Sequence, residues 1–281
     1  MSTQNTSLPK FNLSGKWALI TGGAGLLGKE HAAALLEIGA KVVLWDVNKE
    51  NLISVTNDLI KDFSEQSLIT SVVDISQESE VLASCNILDS QGITISILIN
   101  NAAINPKYSS ESSGIVFSRV ENLSLDDWNY QVSVGLTGAF ICSKYFGSKM
   151  AINKSGVILN ISSDLSVISP DQRLYKLSGK EEISQPVKPI TYSVIKSGLV
   201  GMTKYLATYW SANGVRVNAL SPGGVYEDQN EDFVKKISDL IPLGRLAKSN
   251  EYKSAVQFLC SDASSYMTGQ NIVIDGGRSV W

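Results

Sequence analysis

Cysteine, histidine and unbalanced charge are all scarce in this chain, and each scarcity closes off a class of function. Three cysteines, Cys85, Cys142 and Cys260, are far apart in 281 residues, odd in number and without Cys-x-x-Cys spacing. They read as buried thiols in a reducing, cytoplasmic compartment rather than as disulfides or metal ligands. With a single histidine, His31, a His-based metal site or a Ser-His-Asp triad has little to draw on. His31 falls within the first helical pattern and reads as structural or solvated, and no metal is expected. A net charge of −3 gives no electrostatic footprint for nucleic acid or an anionic membrane. No apolar run approaches the roughly 18 residues needed to span a bilayer, and Met1 to Lys10 lacks the apolar core of a signal peptide. What remains is 43% hydrophobic and 18% charged, a globular composition long enough for one large α/β domain.

Glycine is present, and it is placed. Residues 16–21, Lys-Trp-Ala-Leu-Ile-Thr, are a short apolar run. Gly22-Gly23-Ala24-Gly25 follows, and Leu26-Leu27-Gly28 opens a helical pattern through Ala32, Ala33, Leu35, Leu36 and Ile38. Residues 41–45 form a second apolar strand, ending at Asp46. Strand, glycine turn, helix, strand and acid together are the context of a dinucleotide site. The glycines let the backbone approach a pyrophosphate, and the helix N-terminus supplies N–H groups. Gly28 is expected to let the helix pack close to the sheet. Asp46, 18 residues after Gly28, is spaced to hold ribose hydroxyls and repels a 2′-phosphate, so NAD is favoured over NADP.

The alternation continues. Helices are predicted at 48–63, capped by Asn48, and at 76–89, capped by Ser76. Strands are predicted at 68–73, 95–99, 156–161, 214–220 and 271–274. Residues 125–150 read as a long helix capped by Ser124, 230–241 as a short, mobile cover and 250–259 as a further helix. This rhythm predicts an α/β fold: a Rossmann-like, doubly wound, seven-stranded parallel sheet with helices on both faces. Residues 1–13 read as a polar tail and 14–281 as one domain. Ligands on such sheets sit beyond the carboxyl ends of the strands, where Thr21, Asp46, Asp74 and Asn100 to Ala103 fall. Asp74 is placed either to contact adenine or to cap a turn. The loop 105–124 is a candidate substrate wall.

Tyr192 and Lys196 are one helical turn apart on a pattern that runs to Trp210. A phenol beside an ammonium is an acid/base pair, and the positive charge is expected to lower a pKa that is about 10 in water. The bland alternative, a surface tyrosine and a solvated lysine, wins for an isolated pair.

Thr21-Gly22 through Gly28, Asp74, Asn100-Asn101-Ala102-Ala103, Ser162-Ser163, Tyr192-x-x-x-Lys196 and Ser221-Pro222-Gly223-Gly224, in that order, resemble the classical short-chain dehydrogenase/reductases. The resemblance covers about Gly15 to Gly277. It implies a nicotinamide cofactor and a homodimer or homotetramer built on two long helices. It implies Ser163, Tyr192 and Lys196 as the catalytic set: Tyr192 passes the proton, Ser163 holds the substrate oxygen, and Lys196 binds the nicotinamide ribose. NAD would be held by Gly22, Gly25, Leu26 and Leu27 at the turn, with Asp46, Asp74 and Ile75. Asn101, Ala102 and Ala103 would line the crevice, and Pro222, Gly223 and the backbone near Val225 would floor the nicotinamide.

Three features depart from the family pattern. Leu26 stands where a glycine is usual, giving the spacing Gly22-x-x-Gly25-x-x-Gly28, which looks like the epimerase branch. Gly135-Leu136-Thr137-Gly138 stands for Asn-x-x-Gly, so the asparagine of a proton relay is absent. Ser163 and Tyr192 are 29 residues apart, longer than usual, with an inserted loop at about 164–189 near the substrate entrance. Its basic residues, Arg173, Lys176, Lys180 and Lys188, are placed to meet a phosphate or carboxylate or to be solvated. The stretches 100–107 and 169–175 resemble a bacterial subgroup of flagellin-modification or nonulosonic-acid pathway oxidoreductases, which implies a sugar, sugar-phosphate or nucleotide-sugar substrate. The alternatives are an NAD-binding regulatory protein impaired in catalysis and an epimerase-like sugar enzyme. Trp281 is expected to be buried, against another subunit.

Overall fold

The computed structural model describes residues 9–104 and 118–281. The part of the expected substrate wall at 105–117 lies outside the described residues. Among these, a seven-stranded sheet runs in the order β3-β2-β1-β4-β5-β6-β7. The strands are β1 (Trp17–Thr21), β2 (Lys41–Asp46), β3 (Leu68–Val72), β4 (Ile95–Asn100), β5 (Gly156–Ile161), β6 (Val215–Pro222) and β7 (Asn271–Ile274). Every pairing is parallel. The order reverses between β1 and β4, and the crevice for a ligand opens there.

The strands are apolar along their length because both faces are covered. Ala18, Ile20, Val42, Leu44, Ile99 and Leu159 pack on one side, with α1 (Leu26–Glu37), α2 (Lys49–Leu59) and α9 (Lys253–Cys260). Leu19, Val43, Trp45, Leu98, Ile158 and Val217 point to the other, against α3 (Glu78–Ser90) and two long helical runs. The period of two along each strand makes this division. Leu13, in the stretch read as a tail, is buried in the first of these cores.

The run predicted as one helix at 125–150 is continuous from Leu125 to Ile152 but not uniform. It comprises α4 (Leu125–Val132), α5 (Gly138–Cys142) and α6 (Ser148–Ile152), joined by π-helical turns at Ser133–Thr137 and Ser143–Gly147. The second run is α7 (Ile190–Tyr209), and α8 (Glu231–Ser238) is the short cover, capped by Asn230. Asn48 and Ser124 cap their helices through side-chain oxygens. Ser76 does not: α3 begins at Glu78, and the Ser76 amide and hydroxyl donate to Asp74 Oδ1 at 2.9 and 2.7 Å. Gly28 serves the turn rather than the sheet, since a Cβ there would lie 2.2 Å from the Gly22 carbonyl oxygen.

Candidate active site

β1 ends in the glycine turn. Gly22 has φ +60°, and a Cβ on it would lie 2.7 Å from Ala102 Cα, so a side chain here would push apart the two strand ends that frame the crevice. The Asn101 side-chain amide locks that approach, donating to the carbonyls of Thr21 and Gly22 at 3.1 and 2.9 Å. Thr21 Oγ1 accepts from the amides of Asn101 and Ala102. Gly25 caps α1 without a side chain, and Leu26 begins the helix 42% exposed at the crevice. This cradle fits a dinucleotide: small residues, an open helix N-terminus and main chain at close quarters.

Asp46 Oδ2 accepts from the Ala24 amide at 3.1 Å, and Oδ1 from the Asn48 amide at 3.0 Å. The carboxylate therefore leans over the glycine turn. Asp74 takes the capping option through Oδ1. The Ile75 side chain does not face the crevice; it fills the gap left by Gly138, so only its main chain is on offer to a ligand. Across the sheet, Gly223 donates to the Ile274 carbonyl at 2.8 Å, Pro222 ends β6, and the Val225 carbonyl accepts from Gln229.

The strand ends of β5 and the start of α7 bring the other groups together. Ser163 is buried. Its hydroxyl donates to Asp164 Oδ1 at 2.8 Å and accepts from the Leu165 amide at 3.2 Å. It stands close enough to the Tyr192 phenol to pull its pKa downward. Lys196 is buried, and its ammonium donates to the Ile161 carbonyl at 2.8 Å and lies 5.7 Å from the Tyr192 ring centroid. Ser162 ties the two elements, donating to the Lys196 carbonyl at 2.7 Å. So Ser163, from the end of β5, is brought beside Tyr192 and Lys196 on α7.

The expected depression of the Tyr192 pKa is not found in the protein alone. Burial pushes it above the ordinary phenol value, against a smaller downward pull from Ser163. Burial likewise brings the Lys196 ammonium down to about 8. The reason is distance and desolvation: the ammonium is bonded to a carbonyl, not to the phenol. Nor is there room for the missing relay asparagine. A Cβ on Gly135 would lie 2.8 Å from Ile195 Cγ2, in the first π-helical turn.

Sequence reasoning missed two supports. One is a buried polar chain: Asn100 donates to Ser143 and Asn160, and Asn160 donates to Thr203, at 2.8–3.0 Å. It pins β4, β5, the second π-helical turn and α7 in register. The other is Arg278, whose guanidinium pairs with Asp164 at 2.8 Å with both side chains under a tenth exposed. Nothing local in the C-terminal sequence signals that contact.

The inserted segment is ordered by short 3₁₀ turns. Leu174 and Tyr175 pack with Ile237, Ile241 and Phe233, forming a small core under α8. Two of its four basic residues are paired within the segment. Arg173 pairs with Asp171 and Lys176 with Glu182. Lys188 alone among them meets Tyr192, with Nζ 3.8 Å from the ring centroid. Trp281 is 76% exposed in the single chain, and its indole N–H donates to the Leu240 carbonyl. His31 is fully buried, and the three cysteines are free and buried. Among the described residues no three His, Cys, Asp or Glu side chains gather as metal donors, and no helix is long and apolar enough to cross a membrane.

The profile of the family described as enoyl-(acyl carrier protein) reductase matches residues 24–279. The chain is a classical short-chain dehydrogenase/reductase. The D-threitol dehydrogenase of Mycolicibacterium smegmatis is 30% identical over 278 residues, covering 96% of this chain and 95% of its own. A gluconate 5-dehydrogenase from Burkholderia cenocepacia, solved with NADP and tartrate, is 25% identical with a TM-score of 0.80, covering 97% of this chain and 98% of its own. A short-chain dehydrogenase from Leptospira borgpetersenii with bound NAD+ is 30% identical with a TM-score of 0.82, covering 99% of each chain. As a dehydrogenase of this family, the protein is an oxidoreductase of CH–OH groups that takes a nicotinamide dinucleotide.

Proposed function

We propose that this short-chain dehydrogenase transfers a hydride between NAD and a secondary alcohol or ketone of a sugar or sugar-phosphate derivative, in the cytoplasm. The convergence of Ser163 and Tyr192 oxygens beside Lys196 carries the reading. Asp46 favours NAD, because a carboxylate leaning over the glycine turn repels a 2′-phosphate. The cofactor would be held by Gly22, Gly25, Leu26 and Leu27, by Asp46 and the main chain from Asp74 to Ile75, by Asn101 to Ala103, and by Pro222, Gly223 and Val225. Lys196 would hold the nicotinamide ribose. When bound, NAD accepts the hydride from the carbinol carbon.

The side chains do the rest. Ser163 holds the substrate oxygen beside Tyr192, and Tyr192 takes the hydroxyl proton as the C–H bond breaks, or returns it to a ketone oxygen. Because burial keeps Tyr192 protonated, the apoprotein is set as an acid, and oxidation calls on the positive charge of Lys196 and the cofactor to draw the proton off. The sugar class is supported by the polyol and sugar-acid relatives and by the likeness of 100–107 and 169–175 to the flagellin-modification and nonulosonic-acid group. Exposed Phe140, Tyr205 and Tyr209 on the two long helical runs support a homodimer or homotetramer. The regulatory alternative draws on one observation, Ile195 packed where the relay asparagine would stand.

Tyr192→Phe tests the reading. Turnover of a sugar-alcohol panel with NAD should fall about 10²- to 10⁴-fold, while NADH binding stays near that of the parent. Equal turnover in the two proteins would refute the assignment.

A further inference from the structure

The turn after β5 ties Ser163 to the far end of the chain. Ser163 caps the short 3₁₀ turn Asp164–Ser166, and Ser163 and Asp164 are both buried. The Ser163 oxygen accepts from the Leu165 amide at 3.2 Å, and its hydroxyl meets Asp164 Oδ1 at 2.8 Å. Asp164 Oδ2 meets the Arg278 guanidinium at 2.8 Å. Arg278 is held in place from beyond β7. Asp275 accepts from the Gly277 and Ser279 amides at 2.9 and 2.8 Å, and the Leu243 amide fastens the same segment by donating to the Gly276 carbonyl at 3.1 Å.

Chemistry fixes the direction of these bonds. A carboxylate paired with a guanidinium has lone pairs and no proton to give, and an amide N–H only donates. The single proton of Ser163 therefore lies on the Asp164 side, and Leu165 occupies one of the two lone pairs on its oxygen. One lone pair is left. Ser163 also pulls the Tyr192 phenol downward, and a hydroxyl does that by donating to the phenolate. One proton thus has two claimants, and Asp164 holds it in the protein as it stands.

We infer that Asp164, braced by Arg278, is a positioning residue: it takes the Ser163 proton and so presents Ser163 as an acceptor to the oxygen that reacts at Tyr192, releasing the proton only when that oxygen becomes an anion. The inference rests on Ser163 and Tyr192 being the reacting pair and deepens that reading. While Tyr192 is protonated, its own O–H or a substrate O–H suits the remaining lone pair. When a phenolate or an alkoxide forms, Ser163 turns its proton from the carboxylate to the new anion. The proton stays on Ser163 and no covalent bond changes, so the turn needs no further reactant. Asp164 sets how readily it happens, because a hydrogen bond to a carboxylate is stronger than one to a neutral oxygen. Other groups face the phenol as well. Lys196 lies 5.7 Å and Lys188 3.8 Å from the ring centroid, and the phenol of Tyr175, from the inserted segment, interacts electrostatically with Arg278, Tyr192 and Asp164. Burial and then the Asp164 charge push the Tyr192 phenol up, so a test has to separate that charge from the Ser163 bond.

A double-mutant cycle read on Tyr192 itself makes the separation. The full chain is made with carbon-13 at tyrosine Cζ, the Tyr192 signal is identified by its loss in Tyr192→Phe, and its titration is followed by NMR without substrate or cofactor. In the parent the signal should still be that of a neutral phenol at about pH 10, where a free phenol is half ionised. Asp164→Asn should lower the midpoint by about one pH unit. In Ser163→Ala the same substitution should lower it by less than about half as much, since only the charge is then lost. Equal shifts in the two backgrounds would show that Asp164 acts through its charge alone and overturn the inference. So would a parent Tyr192 already ionised below about pH 10, which needs no variant. If Asp164→Asn fails to fold because it strands Arg278, the cycle is run with Asp164→Asn/Arg278→Met, which removes both charges together, and the same outcomes decide. Coupling between Ser163 and Asp164 in a protein that oxidises no sugar alcohol with NAD sustains the positioning role and counts against the proposed substrate class instead.

Discussion

The two walls of the proposed active site are made of different materials. The cofactor wall, from β1 to β4, is main chain and small side chains: Gly22 against Ala102, the amides around Thr21, and Asp46 on the Ala24 amide. The catalytic wall is charged and bulky side chains drawn from three distant stretches: Ser163 and Asp164, Lys188 to Lys196, and Arg278. A wall of backbone suits a ligand that is always the same. A wall of side chains is where substrate choice can be written, because each residue changes the chemistry without changing the chain path. It is also the more fragile construction, since its charges are held by tertiary contacts alone.

That fragility is open to measurement. Arg278→Met leaves the buried Asp164 carboxylate without its cation and should cost about 3–5 kcal/mol, seen as a lower urea midpoint. Since Asp164 also holds the Ser163 hydroxyl, activity should fall as well. Adding Asp164→Asn should recover part of the stability; no recovery would mean that Arg278 acts by packing and not by charge.

The cofactor wall has one buried liability of its own. His31, on α1, is fully buried, both ring nitrogens lack a partner among the described residues, and desolvation lowers its pKa to about 3. The unfolded chain takes up a proton near pH 6.5 that the folded protein refuses, so stability is full above that pH and drains as pH falls toward 3. By pH 5 the loss should be about 2 kcal/mol. His31→Leu should flatten this part of the urea-midpoint profile. Parallel profiles would show that the ring accepts its proton in the folded state.

Gly135→Asn, which restores the family's usual residue, should destabilise by about 1–3 kcal/mol, because the new side chain meets Ile195. A neutral result would show that the π-helical turn adapts. The smallest effect is expected on the cofactor wall. Asp46→Ala should reduce the kcat/KM preference for NAD over NADP by about tenfold, from one lost like-charge repulsion. An unchanged preference would remove Asp46 from the ribose.

How much could be read in advance follows the same division. The seven strands, the turn at Gly22 to Gly25 and the Asn48 and Ser124 caps were legible because periodicity and turn chemistry are local. Ser76 was misplaced as a cap because its turn with Asp74 puts the start of α3 at Glu78, with Gln77 at the cap position. The direction of the Tyr192 pKa was misjudged because helical spacing places Lys196 near the ring but says nothing of what else it bonds or how far water is excluded.

The linear chain thus settled the sheet and the crevice at its switch point, since alternation of strand and helix leaves one parallel topology. Which of four basic residues in the insertion faces the phenol, and which distant arginine holds Asp164, was decided only when the chain closed on itself. Two of those four pair within the segment, and the contact between Arg278 and Asp164, 114 positions apart, leaves no periodic trace in sequence.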